Sequence, residues 1–537
     1  MLAGDLLGPP YGLLQLSAQA IRAGHSVTTL NLADFAWPEV ERVVAGLEAE
    51  VFGMTCLTAN RRGVAFVADA IRRFHPRAHI AVGGPHASAL PGEILDRHRT
   101  IDTVVVGEGE AALLEICHRV DAGEPTAGIP STAWRSGDEV RQGPPVETTT
   151  DLDSLASLHS LYPSSFVITS RGCPGRCTFC GSRGMWGSRL RLCSVGSVLD
   201  TLETVVRGHG LPLVAIKDDT FTASRRRTLE ICEGIRERDL RFVWICDTRA
   251  DSIDAEVLRA MRLAGCQQIS IGVESGSTEI LERLNKRITP ERVRNVTRLA
   301  RDLGFIVRWY VILGSPGETF DTLEQTFALI RSERPHQVVF SPFSTYPGTA
   351  EYERQVALGD LGPGVYFDQD FLTPTFYREV APEVSAWIRE WLRRNPGIVS
   401  LARPTVDTCR GALERLPGSP LAHMDLGGAL LDAGDLDGAA SQVRRALDLG
   451  HPLAGIGHTY LACIAAARGD IAATEHHLDL ARRGYPFRHT MTNWERFTAW
   501  RDEGSMHDIA GLDIIAHPAF EIAEEKRQPM NPGPIDG

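Results

Sequence analysis

The sequence lacks any uninterrupted run of about 18 apolar residues, and no charged-then-apolar segment opens it. We therefore expect no membrane span and no secretory leader, and we predict a cytoplasmic protein. The sequence also has no basic excess, because 56 Lys and Arg residues against 68 Asp and Glu residues give a formal net charge of −12. This balance argues against a large nucleic-acid surface, so neither nucleic acid nor a membrane is expected as a partner.

Cysteine is present but mostly scattered. Of the 11 cysteines, eight lie singly along the chain, as expected for small buried apolar side chains in a reducing compartment. The composition, 43% hydrophobic and 23% charged, is that of a globular protein, and 537 residues exceed one ordinary domain. The remaining three cysteines, Cys173, Cys177 and Cys180, lie close together in one segment rich in Gly and Pro.

This segment, Arg171-Gly-Cys-Pro-Gly-Arg-Cys-Thr-Phe-Cys180, is predicted to be a loop after a short buried strand at 166–169. Three thiolates on such a loop can hold three irons of a cubane cluster, which leaves the fourth iron open to a substrate or cofactor. A zinc site completed by Cys193 or His159 is the alternative, although zinc ligands usually come in Cys-x2-Cys pairs. A disulfide framework is not expected in so long a chain without a secretory segment.

The cysteine segment resembles the signature of the radical S-adenosylmethionine (SAM) superfamily, including the aromatic Phe179 before the last cysteine. The resemblance implies a [4Fe-4S] cluster held by Cys173, Cys177 and Cys180, with SAM chelated at the open iron. It also implies an external electron donor as a partner. The reduced cluster would then cleave SAM to methionine and a 5′-deoxyadenosyl radical.

Residues 1–135 alternate between strand and helix patterns. Strands are predicted at 26–30, 51–55, 79–82 and 102–106, and helices at 12–23, 38–48, 64–74 and 111–120. Such alternation, with near-continuous apolar strands, predicts a parallel sheet covered on both faces, which binds ligands at the carboxyl ends of its strands. Glycine and threonine gather at those ends, in 55–58, 83–86 and 107–109, where backbone can approach a large flat ligand.

With Pro9-Pro-Tyr-Gly12 and Gly24-His-Ser-Val27, these strand ends resemble the Rossmann-like cobalamin-binding domain that precedes many radical SAM cores. The resemblance implies cobalamin contacts from Pro10, Tyr11, Thr55, Leu57, Thr58, Gly83, Gly84, Gly107, Glu108 and Gly109. The chain departs from the pattern in two ways: the first strand is nearly absent, and the Asp-x-His-x-x-Gly motif is missing. The resemblance implies that cobalamin is held base-off, with 55–61 beneath the cobalt. His25 is interpreted as a helix-cap residue and not as a ligand.

A polar, turn-rich linker is predicted at 136–160, followed by a core at 161–365. Core strands at 166–169, 213–217, 242–246, 268–273, 306–313 and 337–341, with helices between them, predict a partial (β/α)6 barrel with its chemistry at the strand C-terminal ends. Alternation along these strands turns polar side chains inward: Lys217, Asp219, Gln268, Ser270, Glu274, Arg308 and Tyr310. Mutual neutralisation could explain one pair, such as Lys217 with Asp219, but not the whole buried set.

The resemblance to radical SAM cores continues through these strands and assigns SAM contacts. Glu274 and Ser275, in Gly272-Val-Glu-Ser-Gly-Ser277, would contact the ribose or the amino-acid end of SAM. Arg308 would pair with its carboxylate, because a guanidinium matches a carboxylate geometrically. Phe179 and Asp219 complete the predicted SAM site, and the loop 314–319 would shape the adenine pocket.

The C-terminal third is predicted to be helical. A connector spans 366–405, with an amphipathic helix at 383–394. In 406–500 a pattern recurs with a period of 35 residues and resembles tetratricopeptide helix pairs. Two interpretations remain open, a lid on the core or a groove for a partner protein. The tail at 501–537 ends in a Pro- and charge-rich stretch, predicted to be disordered from 524.

A cobalamin domain followed by a radical SAM core resembles the cobalamin-dependent radical SAM enzymes, many of which methylate unactivated carbon or phosphorus centres. The implied chemistry uses one SAM to methylate Co(I) and a second to make the radical, after which the substrate radical takes its methyl group from methylcobalamin. A small metabolite or a peptide is the expected substrate. The alternatives are a cyclisation or rearrangement without methyl transfer, and a non-catalytic module that recruits a partner through the helical repeats.

Overall fold

The fold is taken from a computed structural model of the chain. It describes residues 10–33, 35–145, 149–362, 364–368, 379–484, 488–503 and 512. The predictions for the first eight residues, for 524–537 and for most of the tail lie outside the described residues.

The first part of the chain folds around a five-stranded sheet in the order β1-β2-β3-β4-β5. Three strands run parallel, β1 (Val51–Thr55), β2 (His79–Gly83) and β3 (Thr103–Val105), and β4 (Thr132–Ser136) and β5 (Glu139–Gln142) follow antiparallel. The helices are α1 (Tyr11–Arg22), α2 (Trp37–Ala45), α3 (Arg61–Phe74), α4 (Pro85–Ala89), α5 (Pro91–Arg97) and α6 (Glu110–Ala122). Apolar side chains such as Ile80 and Val104 are fully buried between these layers.

Two sequence predictions for this part are wrong. Residues 26–30 form no strand, because an extended segment needs a hydrogen-bonded neighbour and none of the described strands pairs with it. Its Thr29 hydroxyl instead lies 2.7 Å from the Ser17 hydroxyl of α1. The predicted linker at 136–160 begins too early, because the β4–β5 hairpin bonds to β3 and carries the first sheet as far as Gln142.

The core sheet has seven strands, β14-β13-β12-β11-β10-β9-β6 in spatial order, whose ranges follow. Six of them run parallel, β6 (Phe166–Val167), β9 (Leu213–Ile216), β10 (Val243–Thr248), β11 (Cys266–Glu274), β12 (Ile306–Leu313) and β13 (Gln337–Pro342), as the sequence predicted. The last, β14 (Ile398–Ser400), is antiparallel and was not predicted. The core helices are α7 (Ser182–Trp186), α8 (Val195–Glu203), α9 (Arg225–Glu237), α10 (Ala255–Leu263), α11 (Thr278–Arg283), α12 (Pro290–Asp302), α13 (Phe320–Glu333), α14 (Ala350–Ala357), α15 (Val365–Asp368) and α16 (Pro382–Arg394).

Strand alternation in the core is as predicted. Ile269, Ile271 and Val273 of β11, and Trp309 of β12, lie in one apolar cluster with the surrounding helices. The cysteine segment leaves this layer and is closed by a separate two-stranded ribbon, β7 (Ser170–Arg171) with β8 (Arg191–Leu192). The ribbon therefore fixes both ends of the loop that carries the three cysteines.

Six helices follow the core: α17 (Val406–Arg415), α18 (Pro420–Asp432), α19 (Leu436–Asp448), α20 (Ala454–Ala467), α21 (Ile471–Arg483) and α22 (Arg488–Glu503). The pairs α18–α19 and α20–α21 carry the repeat found in the sequence. They meet the core through a buried cluster in which Asp425 of α18 accepts hydrogen bonds from Arg262 and, at 3.0 Å, from Gln267.

The position of these contacts bears on whether the repeats form a lid on the core or a groove for a partner protein. Gln267 and Val243, which joins the apolar cluster of the repeats, stand at the beginnings of core strands, whereas the cysteines follow the end of β6. The repeats thus contact the edge opposite to the cysteine loop, which is inconsistent with a lid over the cysteines. Moreover, α18 and α20 are buried on nearly all sides, whereas α19 and α21 keep exposed faces, so a groove for a partner protein stays a prediction.

None of the helices in the described ranges combines the length and the apolar character needed to cross a membrane.

Candidate active site

The carboxyl ends of the two parallel sheets meet. Ser88 of α4, just after β2, accepts a hydrogen bond from Gly107 N at 2.9 Å, and its hydroxyl lies 4.0 Å from the sulfur of Met185 in α7, just after the cysteines. A Cβ on Gly348, in the loop after β13, would lie 3.1 Å from Ala89 Cβ of α4, so glycine is needed for this approach. The predicted cobalamin edge and the cysteine loop therefore face each other.

Buried ion pairs join the two edges. Arg171 of β7 donates to Glu108 at 3.0 Å and to Glu110 at 2.5 Å, and Arg191 of β8 also donates to Glu108. All four side chains are at most 14% exposed. Glu108, predicted as a cobalamin contact, is thus occupied by two arginines that hold the ribbon of the cysteine loop.

Cys173, Cys177 and Cys180 lie together on the loop at the end of β6, and all three are unpaired thiols. Cys173 Sγ lies 3.3 Å from the Thr220 hydroxyl at the end of β9, and Arg249 Nη1 lies 3.6 Å from Cys177 Sγ. Cys180 is exposed. Three soft thiol donors at the mouth of the sheet suit an iron–sulfur cluster, whose irons stand at separate corners of a cube.

The zinc alternative is not supported. In the part of the chain that the structure describes, no three His, Cys, Asp or Glu side chains converge on a point that could hold a single metal ion. Cys193 belongs to the segment after β8, where its backbone N–H bonds to Thr169 O at 3.0 Å, and His159 is buried against the ring of Tyr11.

A carboxylate to which the sequence assigned no role anchors the cysteine loop. Asp218, at the end of β9, accepts hydrogen bonds from Thr169 N and Thr169 Oγ1, both at 2.6 Å, and from Ser170 N at 3.1 Å. Burial raises the pKa of Asp218 above its ordinary value, although these hydrogen bonds oppose the rise. Its neighbour Asp219, the predicted SAM contact, accepts from Ser182 at 2.5 Å. Asp218 therefore anchors the cysteine loop, whereas Asp219 faces α7.

The predicted SAM segment after β11 carries an unusual backbone. Glu274 has a φ of +65°, and its carboxylate is bonded to Lys286 Nζ at 2.7 Å, with both side chains buried. A Cβ on Gly272 would lie 2.6 Å from Glu274 Oε1, so glycine makes room for this pair. Ser275 is fully buried, with its hydroxyl 3.1 Å from that of Thr326 and accepting from Ser277 N, which gives it a packing role in this conformation.

Polar side chains on the inner face of the core bond to one another. Lys217 Nζ pairs with Asp247 at 3.1 Å, not with Asp219, and Tyr310 donates to the other oxygen of Asp247 at 3.4 Å. Arg308 donates to Gln337 Oε1 at 2.7 and 2.9 Å. The sequence placed Lys217, Arg308 and Tyr310 on the inner face, but it did not indicate Asp247 as the partner of Lys217, because Asp247 is contributed by the neighbouring strand.

The loop after β12 is braced from within. Glu318 Oε2 accepts from Gly314 N and, at 3.2 Å, from Ser315 N. Burial raises the pKa of Glu318 to about 7. On the facing side of the mouth, Phe179 stands edge-on to Phe343, with ring centroids 6.5 Å apart.

The strand ends of the first sheet provide a shallow, half-buried edge formed by Thr55, Leu57, Gly83, Gly84, Gly107 and Gly109. Gly84 has a φ of +97°, and a Cβ there would lie 2.8 Å from Thr55 Oγ1. Thr58 is buried, with its hydroxyl 3.1 Å from His86 Nδ1, while His86 Nε2 is buried without a hydrogen-bond partner among the described residues. Glycine-lined backbone and one unpaired polar atom are compatible with a bound macrocycle along this edge.

The remaining two predicted cobalamin contacts lie at the start of α1. Pro10 is half-buried, and its carbonyl accepts from Leu14 N at 3.0 Å. The Tyr11 hydroxyl bonds to the backbone of Ile168 in the core, and burial raises its pKa. Tyr11 therefore contacts the core beside Ile168, close to Arg171, which pairs with Glu108.

The sequence assigned no role to Asp218 or Arg249, although both lie in segments that resemble radical SAM cores, and it did not indicate Lys286. Arg249 directly follows strand β10, so its position near a strand C-terminal end was the available signal, whereas Lys286 follows helix α11. Their partners come from distant parts of the chain, which no local pattern indicates.

Comparison with known proteins agrees with this geometry. The family model for the radical SAM superfamily matches residues 167–330, and that for the B12 binding domain matches residues 4–117. The chain is 28% identical to an uncharacterized methyltransferase of Pyrococcus horikoshii over 65% of this chain and 79% of that protein. It is 26% identical to the anaerobic magnesium-protoporphyrin IX monomethyl ester cyclase of Rubrivivax gelatinosus, over 64% of each chain.

A solved structure has the same fold. The cobalamin-dependent S-adenosylmethionine radical enzyme OxsB, with aqua-cobalamin and S-adenosylmethionine bound, superposes with a TM-score of 0.54 at 16% identity, covering 98% of this chain and 78% of that one.

The matched core and its three thiols define a radical SAM enzyme. The B12-binding domain and the methyltransferase relative make it a cobalamin-dependent radical SAM enzyme of the methyltransferase type, and the two family models give a [4Fe-4S] cluster, SAM and cobalamin as its cofactors.

Proposed function

We propose that the enzyme transfers a methyl group from SAM to an unactivated carbon of a small metabolite or peptide. The observation that carries the proposal is the meeting of the two strand-end edges, in which α4 of the B12-binding part packs on α7 of the cysteine loop. Methyl transfer to carbon by this chemistry needs the corrinoid and the cluster on opposite sides of one substrate.

When bound, the cluster and SAM supply a hydrogen-abstracting radical and the corrinoid supplies the methyl group. The protein residues bind and orient. Cys173, Cys177 and Cys180 would hold the cluster, and the glycine-lined edge of β1–β3 would hold the corrinoid. Glu274, Arg308 and Asp219 would position SAM, with Phe179 against it. The six parallel core strands would then form a partial barrel around these groups.

The polar inner face favours a substrate that has hydrogen-bonding groups. Lys217, Asp247 and Tyr310 are about a third exposed or less and bond only to one another, so a substrate can exchange with these contacts at modest cost. An external protein or small-molecule donor would deliver the electrons that reduce the cluster. The helical repeats, tetratricopeptide-like in period, would brace the core, with a partner protein on their outer face as a secondary role.

A second candidate is cyclisation or rearrangement without methyl transfer. It is favoured by one specific observation, the similarity over 64% of this chain to a magnesium-protoporphyrin ester cyclase. The non-catalytic alternative has no such support, because the three thiols and their anchoring contacts are intact.

One experiment separates the three. The enzyme, reconstituted anaerobically with iron, sulfide and cobalamin, is given SAM and a reductant, and the SAM products are quantified. A methyltransferase should form both S-adenosylhomocysteine and 5′-deoxyadenosine. Without substrate, the amount of S-adenosylhomocysteine should stop at about one equivalent per corrinoid. A cyclase predicts 5′-deoxyadenosine alone, and a binding module predicts neither product.

A further inference from the structure

A guanidinium stands against the cysteine loop. Arg249 follows the end of β10 and is buried, and its Nη1 lies 3.6 Å from Cys177 Sγ. In a cluster-loaded chain this sulfur would be a thiolate bound to iron. A nitrogen at this distance donates to sulfur and brings a full positive charge beside it.

The guanidinium is held in place by three further hydrogen bonds. Asp251 accepts from Arg249 Nε and from Arg249 Nη2, both at 2.9 Å, and the carbonyl of Lys286 accepts from Nη2 at 2.7 Å. Two of its nitrogens are thus occupied by Asp251 in a fork, which directs Nη1 at the cysteine loop.

The cysteine loop is shaped to receive it. A Cβ on Gly175 would lie 3.1 Å from Arg249 Nη1 and 3.3 Å from Cys173 Sγ. Both contacts are tighter than ordinary van der Waals distance, so a side chain at this position would displace the guanidinium or the thiol. Glycine at 175 therefore leaves room for Arg249 beside the cysteine loop.

The local charges are unequally exposed to water. The Asp251 side chain is 40% exposed, whereas that of Arg249 is 10% exposed. Water therefore screens the carboxylate more than the guanidinium, and the side facing Cys177 stays net positive. The second buried cation nearby, Lys286, is neutralised by the equally buried Glu274 at 2.7 Å.

We propose that Arg249 is a positioning residue that raises the reduction potential of the cluster by donating to Cys177. Reduction adds one electron to the cluster, supplied from outside the protein, and the adjacent cation stabilises the more negative state. The inference rests on the cluster assigned above to the three cysteines, but not on methyl transfer.

The test is an anaerobic redox titration of the holoenzyme in the absence of SAM. Dithionite and redox mediators set the solution potential, and EPR quantifies the reduced cluster at each potential. At a fixed solution potential, Arg249→Gln should lower the reduced-to-oxidised ratio of the cluster at least tenfold. For one electron this equals a fall of about 59 mV in its reduction potential. The matched control is Arg292→Gln, because Arg292 is a neighbour that bonds to Ala250 O and Ile253 O and not to sulfur. It should stay within twofold of the parent.

Two further measurements keep the result decisive. Asp251→Asn should move the ratio in the opposite direction, toward reduced, and it decides the matter if Arg249→Gln does not retain a cluster. SAM affinity is measured separately for each variant. An unchanged potential in Arg249→Gln with weakened SAM binding would make Arg249 a SAM ligand and overturn the proposal. The proposal would also be overturned if Arg249→Gln and Arg292→Gln shifted the reduced-to-oxidised ratio equally. The same holds if Asp251→Asn did not increase that ratio.

Failure of the proposed function is distinguishable from failure of this inference. The titration uses neither SAM nor substrate, so a chain that forms no S-adenosylhomocysteine can still give the expected potentials. A parent chain that binds no cluster at all would overturn both.

Discussion

Arg171, two residues before the first cysteine of the loop, donates to Glu108 at the end of the third strand of the first sheet, with 3.0 Å between the two atoms. The two residues are 63 positions apart in sequence and are 10% and 9% exposed. A buried ion pair thus connects the B12-binding domain to the cysteine loop.

Replacing Glu108 should destabilise the enzyme strongly. Glu108→Ala leaves Arg191 buried without its carboxylate, and loss of one partner from a buried pair costs about 3 to 5 kcal/mol. The matched control is Glu115→Ala, since Glu115 pairs with Arg119 at the surface, where such a pair contributes about 1 kcal/mol or less. Urea unfolding followed by circular dichroism measures both. Equal losses in the two variants would show that the Glu108 pair is not the link described.

Gly84→Ala should weaken corrinoid binding at least tenfold while the cluster is retained. The residue has a φ of +97°, and the new Cβ would collide with Thr55 Oγ1 and the backbone of Cys56. Gly24→Ala is the control, because Gly24 has a similar φ of +95° but no atom within 4 Å of a new Cβ. Corrinoid retained after gel filtration gives the answer, and unchanged retention in Gly84→Ala would remove this edge from the cobalamin site.

The helix pairs α18–α19 and α20–α21 carry the 35-residue repeat, so side chains at matching positions should make equivalent contacts. His423 Nδ1 bonds to Gln442 Oε1 at 2.7 Å in the first pair, and 35 residues later His458 Nδ1 stands 3.3 Å from His477 Nδ1. His477→Gln should recreate the first contact and stabilise the chain by about 1 kcal/mol. Gln442→His should destabilise it by a similar amount. A loss in thermal stability for both variants would contradict the equivalence.

Acid should destabilise the fold through its buried histidines, although the raised pKa of Glu318, about 7, opposes this effect. Burial lowers the pKa of His86, His159 and His451 from 6.5 to about 4. The unfolded chain therefore binds more protons below pH 6.5, so stability is full above that pH and falls as the pH drops toward 4. The urea midpoint of the cluster-free chain should fall from pH 7.5 to pH 5. His451→Asn, which keeps an acceptor for Leu453 N, should reduce this slope. A midpoint that rises on acidification would contradict these assignments.

The strands that carry the site could be predicted from sequence, because buried parallel strands are apolar runs with clear ends. β12 agrees at both ends, and its inward side chains Arg308 and Tyr310 were placed correctly. Residues 26–30 contain the β-branched residues typical of a strand, but none of the strands in the described ranges pairs with them, so local preference alone misled. The three-residue β14 is too short for its pattern to be distinguished from a turn.

Most of what organises the site could not be predicted. The partners of Arg171, Lys217 and Arg249 are set by which strands and loops are adjacent in space. Asp218 and Asp219 are consecutive and chemically identical, yet one anchors the cysteine loop and the other faces Ser182. Only the tertiary structure distinguishes them, because side-chain direction at a strand end depends on where the strand stops.

The most direct test of the central claim compares Cys177→Ala with Cys117→Ala after anaerobic reconstitution, since both thiols are half-buried but only Cys177 lies on the cysteine loop. Iron, sulfide, corrinoid and 5′-deoxyadenosine are quantified for each. We predict that Cys177→Ala loses the cluster and all SAM cleavage while keeping corrinoid, and that Cys117→Ala matches the parent. SAM cleavage retained by Cys177→Ala would contradict the assignment of the cluster to these three cysteines.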